Sequence, residues 1–150
     1  DTNEILFLTN KNIESIKSFN EVSCSNIKHI NLSSNAIKSL KGLDWYPNIE
    51  EVCFSNNSID LKFCEFDIKF VKLHTLDLSN NKIVDLNDLS KIFPNLKYLN
   101  LNTNLISSTV NICKLKNLVC LFISDNKISA FEEIMNLNSL SNLILQKELL

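Results

Sequence analysis

Five asparagines, Asn35, Asn57, Asn81, Asn104 and Asn126, stand 22, 24, 23 and 22 residues apart, each at the same place in one apolar frame. The frame reads L-x-x-L-x-L-x-x-N-x-I. It is written out by Ile27, Ile30, Leu32, Asn35 and Ile37, and again by Ile49, Val52, Phe54, Asn57 and Ile59. Leu73, Leu76, Leu78, Asn81 and Ile83 form the third copy. Leu96, Leu99, Leu101, Asn104 and Ile106 form the fourth, and Leu118, Leu121, Ile123, Asn126 and Ile128 the fifth. Two imperfect copies flank these: Leu6, Leu8 and Ile13 in front, with Lys11 at the asparagine place, and Leu140, Leu143 and Leu145 behind, with Glu148 there. A fixed period of this size means stacked units, none of which can bury its apolar face alone.

The x-L-x-L segment alternates with period two, which predicts a short strand with its leucines turned inward. The asparagine follows where the chain turns. Its amide can both donate to and accept from buried backbone of its own and the next turn. A second apolar set, Leu40 with Leu43, Leu86 with Leu89, and Phe131 with Ile134, has a spacing of three that suits a helical or 3-10 turn. Pro47 and Pro94 fit turns leading into strands. Leu61, Phe63, Phe66 and Phe70 crowd the less regular stretch 61–72 and read as core filling. The expected architecture is an α/β repeat solenoid of about seven repeats. It has a curved parallel sheet on the concave side and short helical or 3-10 turns on the convex side, in a single domain over residues 1–150.

These residues resemble a known family. The roughly 22-residue period, the run L-D-L-S-N-N-K-I at Leu76 to Ile83 and the run F-P-N-L-K-Y-L-N-L at Phe93 to Leu101 are similar to the short-repeat intracellular leucine-rich-repeat class. That class includes a regulatory subunit of protein phosphatase 1 and the outer-arm dynein light chain. The resemblance implies a protein-binding role inside the cell, in the cytoplasm or nucleus. It is specific for fold, because the shared residues are structural. The acidic tail of the family's nuclear phosphoproteins is missing, and the usual C-terminal cap is not recognisable after Leu145.

Composition narrows the chemistry. The net charge is −2, and all fifteen basic residues are lysines. Without arginine or a basic stripe, nucleic acid is not an expected partner. No apolar run reaches the roughly 18 residues of a membrane span, so no membrane partner is expected either. The single glycine, Gly42, leaves no phosphate-binding glycine loop. Five cysteines, with no CxxC pair, read as free thiols in a reducing compartment. His29 and His74 form no metal-ligand spacing. Cys53 is expected between Asn31 and Asp77, and a neighbouring carboxylate disfavours the reactive thiolate. No catalytic constellation, cofactor or small-molecule substrate is expected.

The strand register gives the solvent-facing positions. One column reads Ile5, His29, Glu51, Thr75, Tyr98, Cys120, Asn142. The next reads Phe7, Asn31, Cys53, Asp77, Asn100, Phe122, Ile144. A third, Thr9, Ser33, Ser55, Ser79, Asn102, Ser124 and Gln146, is almost wholly small and polar. The middle is mildly acidic around Glu51 and Asp77. The C-terminal end gathers Tyr98, Cys120, Phe122 and Ile144, an apolar group with the make-up of a binding hot spot. The candidate partner-binding residues on the concave face are therefore Tyr98, Cys120, Phe122, Ile144, Asp77, Glu51 and Asn100. The same apolar end has a second explanation, coverage by a neighbouring segment or a missing cap. Ile5 and Phe7 make a smaller patch at the other end, open to the same two explanations. The expected function is a non-catalytic adaptor for a protein partner; the alternative is a structural fragment of a longer repeat protein whose function lies in another domain.

Overall fold

Each repeat contributes a strand of three residues, because only the x-L-x of the frame is extended before the chain turns inward. A computed structural model of the chain describes residues 4–18, 23–63, 67–130, 134–137 and 142–144. The strands are β1 (Ile5–Phe7), β2 (His29–Asn31), β3 (Glu51–Cys53), β4 (Thr75–Asp77), β5 (Tyr98–Asn100), β6 (Cys120–Phe122) and β7 (Asn142–Ile144). They lie in sequence order in one seven-stranded sheet, and every neighbouring pair is parallel. The pairing places Leu6, Ile30, Val52, Leu76, Leu99, Leu121 and Leu143 opposite one another, as the repeat frame requires. A one-residue slip would turn all of them to water, so the apolar pattern holds the register.

The chain returns through 3-10 turns at Cys24–Asn26, Leu43–Trp45, Leu61–Phe63, Ile112–Lys114 and Ile134–Asn136, and through a four-residue α-helix at Leu89–Ile92. Between these turns and the sheet runs one continuous core. Of the twenty apolar frame residues in the five full copies, all are buried except the partly buried Ile128. Leu40, Leu43, Leu86, Leu89 and Ile134 fill the convex side as expected, while Phe131 lies outside the described residues. In the stretch 61–72, Leu61 and Phe70 are fully buried, and the Phe70 ring lies 5.6 Å from that of Phe93. Core filling thus accounts for these two, whereas Ile68 and Val71 are exposed; the Phe63 side chain and Phe66 lie outside the described residues.

The asparagines do more than decorate the turn. Asn81 Nδ2 donates to the carbonyls of Leu78 and Ser79 in its own repeat, at 3.1 Å each, and to Phe54 of the preceding repeat at 3.0 Å. Its Oδ1 accepts from the Ile59 N–H at 2.9 Å. The next N–H, that of Lys82, donates to the Ile59 carbonyl. Both backbone groups of the inward-turning isoleucine are thereby satisfied by the following repeat. Asn35, Asn57, Asn104 and Asn126 repeat the arrangement. The direction corrects the expectation from sequence: these side chains reach back to the preceding turn, not forward to the next. The reason is the ladder's own polarity. In the same stretch the strand-end N–H groups, such as Leu78 to Asn100, already point to the following repeat, so the groups left over lie behind.

A second, outer ladder had no counterpart in the sequence reading. Asn48, Asn95 and Asn117, each one residue before the first frame position, donate from Nδ2 to the carbonyls of Ser25, Val71 and Pro94 at 2.8, 2.8 and 3.0 Å. Lys72 takes the same place in its repeat and donates to Asn48 Oδ1 at 2.9 Å. On the convex side Asp88 accepts from Ser90 and pairs with Lys114 at 3.1 Å, and these contacts hold its carboxyl below the ordinary carboxylate range.

The turn between strand and asparagine requires one residue with positive φ per repeat: Asn10, Ser34, Asn56, Asn80, Thr103 and Asp125, with φ of 52° to 57°. Asn and Asp tolerate this left-handed region; for the β-branched Thr103 it is strained. Gly42, with φ of 100°, is needed for another reason too: a Cβ there would stand 2.2 Å from the Ile16 carbonyl oxygen.

Two outcomes follow for stability. Asn81→Ala strands the Ile59 N–H and should cost about 1–3 kcal/mol, and Leu101→Ala should cost about 2–5 kcal/mol through a cavity; denaturant titration that leaves both midpoints in place would contradict the register. Thr103→Asn relieves the left-handed threonine and should gain roughly 1 kcal/mol, a rise in Tm of about 2–4 °C. A lowered Tm would show that the threonine side chain is needed there.

Candidate functional site

Period-two alternation leaves the first and third residue of every strand on the face opposite the core, and the pairing sets them in two columns. Ile5, His29, Glu51, Thr75, Tyr98, Cys120 and Asn142 are direct partners in sequence, as are Phe7, Asn31, Cys53, Asp77, Asn100, Phe122 and Ile144. Adjacent strands are about 4.8 Å apart, so the seven span roughly 30 Å.

Much of the polar centre of this face serves the turn below it. Asp77 Oδ1 accepts from the Ser79 N–H at 2.9 Å and from Ser79 Oγ at 2.7 Å. Asn31 Oδ1 does the same for Ser33, at 3.0 and 2.7 Å, and Asn100 Oδ1 accepts from the Asn102 N–H at 3.1 Å. Asn102 Oδ1 in turn accepts from the Ser124 N–H at 2.7 Å. Asp77 and Asn100, two of the candidate binding residues, therefore also brace the chain reversal that presents them. Ser79 and Ser124 are buried, so the third column is less open than its small side chains suggest. Glu51, the third polar candidate, is half-exposed. Its Oε2 lies 3.3 Å from His29 Nδ1, across one strand pairing.

The apolar candidates separate. Tyr98 is exposed, at 47% of its full accessible area, and Phe122 is half-buried. Cys120 is corrected: its exposure falls to 7%, so it offers almost no open surface although its register keeps it on the strand face. In the strand register it stands directly between Tyr98 and Asn142. Ile144 pairs with Phe122 through the backbone of β7, but its side chain lies outside the described residues. Among the described side chains the more exposed apolar pair is at the other end. Phe7 and Ile5 keep 70% and 52% of their area. With His29, Glu51, Cys53 and Asp77 they line a hollow of about 420 Å³ over β1 to β4. Sequence reading ranked this end second because an unpaired edge residue and an interface residue look alike in one dimension.

Cys53 and His74 do not meet. Cys53 Sγ lies 3.3 Å from Ser55 Oγ, and His74 Nδ1 lies 3.0 Å from Thr75 Oγ1. Among the described residues no three His, Cys, Asp or Glu side chains gather to hold a metal ion, and no helix is long and apolar enough to cross a membrane. Cys24, Cys53, Cys113 and Cys120 carry free thiols. Burial should order their reactivity. Iodoacetamide mapped by mass spectrometry should label Cys53 in the native protein and Cys120 only on unfolding. Early labelling of Cys120 would return it to the exposed face.

Comparison with known proteins agrees with this architecture. Residues 71–113 match the family described as Leucine Rich repeats (2 copies). A curated relative from Arabidopsis thaliana, a "Protein phosphatase 1 regulatory inhibitor subunit PPP1R7 homolog", is 29% identical over 124 residues, covering 79% of this chain and 37% of its own length. The chain thus spans little more than a third of that relative. Among solved structures, an internalin (inlF) of Listeria monocytogenes str. 4b F2365 superposes with a TM-score of 0.63 at 21% identity, over 82% of this chain and 42% of the other. Internalin C2 of the same strain gives 0.59 at 21% identity, over 95% and 74%. The receptor in a TLR13–ssRNA13 complex gives 0.69 at 22% identity, over 89% and 21%. At these identities the structural likeness speaks for the fold alone, and the fold is the leucine-rich-repeat solenoid.

Proposed function

We propose that this leucine-rich-repeat chain is a non-catalytic scaffold that binds a protein partner on the face formed by its seven strands. The observation that carries it is the open sheet itself. Its side chains stand in registered columns with Tyr98 and Phe7 exposed, and large apolar groups on a polar surface are what a partner covers. The repeats alone place these side chains, so the surface is formed before a partner arrives, which lowers the entropy cost of docking. Tyr98 and Phe122 are the anchors at the C-terminal end, with Glu51, Asp77 and Asn100 supplying polar contacts between the two ends. The free thiols of the described cysteines support a reducing, intracellular setting, cytoplasmic or nuclear.

A narrower role, regulation of a phosphatase-1 catalytic subunit, draws support from the printed name of the 29%-identical relative. Purified chain mixed with that catalytic subunit at micromolar concentration should form a complex on gel filtration; two separate peaks would remove this role and leave the scaffold standing.

The scaffold itself is tested by capture from source-cell lysate on immobilised wild type, Tyr98→Asp and Val84→Asp, the last an exposed apolar position off the strands. A protein held by wild type and Val84→Asp, but lost by at least about tenfold on Tyr98→Asp, is the expected result. Loss on Val84→Asp with retention on Tyr98→Asp would move the binding surface to the other side of the solenoid.

A further inference from the structure

The hollow over β1 to β4 combines two features on one surface. At its outer end Phe7 and Ile5 are the most exposed large apolar side chains of the sheet among the described residues. At its inner end stand the carboxylates of Glu51 and Asp77, one and two strands apart from the His29 and Asn31 of β2. The charge is unbalanced. The chain holds fifteen lysines, yet none of the first and third residues of the seven strands is a lysine. Lys28, next to His29 in the chain, is committed to Glu4 at 2.9 Å. Glu51 Oε2 lies 3.3 Å from His29 Nδ1, and one oxygen of Asp77 is spent on Ser79.

We propose that this hollow docks an extended partner segment carrying an aliphatic or aromatic side chain and, three or four residues away, one or two cationic side chains. This rests on the scaffold reading and names the chemistry of the segment. The spacing follows from the sheet. From β1 to β3 and β4 is two to three strand separations, about 10–14 Å. An extended peptide advances about 3.3 Å per residue, so three to four residues cover that distance. The apolar group rests on Phe7 and Ile5, and the cations reach Glu51 and Asp77. Charge complementarity selects this occupant over an acidic one, because a carboxylate brought to Glu51 and Asp77 would meet like charge with no lysine on the strand face to offset it.

Two fluorescein-labelled decapeptides of leucine, serine and a charged residue test this, each with a Leu-Leu pair three residues before the charged pair, lysine in one and glutamate in the other. Fluorescence anisotropy should show the lysine peptide binding and the glutamate peptide not. Phe7→Ala and Glu51→Lys should each weaken the lysine peptide about tenfold. Asp85→Lys makes the same charge change at an exposed position off the sheet and should alter binding by no more than about twofold. Equal weakening by Asp85→Lys would reduce the effect to net charge and overturn the proposal, as would equal binding of the two peptides or inert hollow variants. Sedimentation of wild type beside Phe7→Ala should show monomers of both; a dimer dissolved by the substitution would give the surface to a second copy and also overturn it. Phe7 and Glu51 are solvent-accessible, so circular dichroism melts of both variants should match wild type. The scaffold reading is judged separately: if Tyr98→Asp still abolishes capture while the hollow variants bind as wild type, the scaffold stands and only the occupant's chemistry falls.

Discussion

One side-chain amide per repeat makes the stack possible. A chain that turns inward every 22 to 24 residues must bring backbone N–H and C=O groups away from water, and an unpaired buried group costs as much as a lost hydrogen bond or more. Asn81, buried to 8% exposure, answers three carbonyls and one N–H across two repeats. Aspartate could not donate, and a hydroxyl could not span both sides of the turn. Each repeat is therefore completed by the one after it. The leucine core supplies the driving force, but the amide decides that the force is spent on this geometry.

The fold was legible because its two signals are one-dimensional. Period two gave the strands and their solvent columns, and the recurring asparagine gave the stacking interval. Residue pairs such as Asp77 with Asn100, or Glu51 with His29, could be set side by side by counting alone. What escaped depended on three-dimensional surroundings. Cys120 looked exposed by register, yet it keeps only 7% of its area. Four of the six left-handed turn residues are Asn or Asp, but Ser34 and Thr103 interrupt the series, so the recurring turn did not stand out. The outer ladder of Asn48, Asn95 and Asn117 did leave a trace, an asparagine ahead of four of the five full frames, Asn26 included, but the lysine at position 72 broke the pattern.

The candidate site shows a related division. Residues whose role is geometric, such as Asp77 bracing Ser79, sit where counting put them. Exposure is a collective property, and here it favours Phe7 over Cys120. The face therefore has two apolar ends of different character. A hollow with carboxylates beside it lies over the first four strands, and the exposed Tyr98 with the half-buried Phe122 stands over the later ones.

The unbroken sequential order of the sheet, with every strand paired only to the repeats before and after it, has a consequence for how such a protein changes over generations. A gene segment that encodes one repeat carries both halves of its own junction, the donors at one side and the acceptors at the other. Copying or excising it in frame leaves the remaining junctions chemically unchanged and lengthens or shortens the strand face by a single strand spacing, about 4.8 Å. Recombination can thus adjust the reach of the surface in steps, while point substitution in the solvent columns rewrites what each step displays. The two kinds of variation act on separate parts of the molecule.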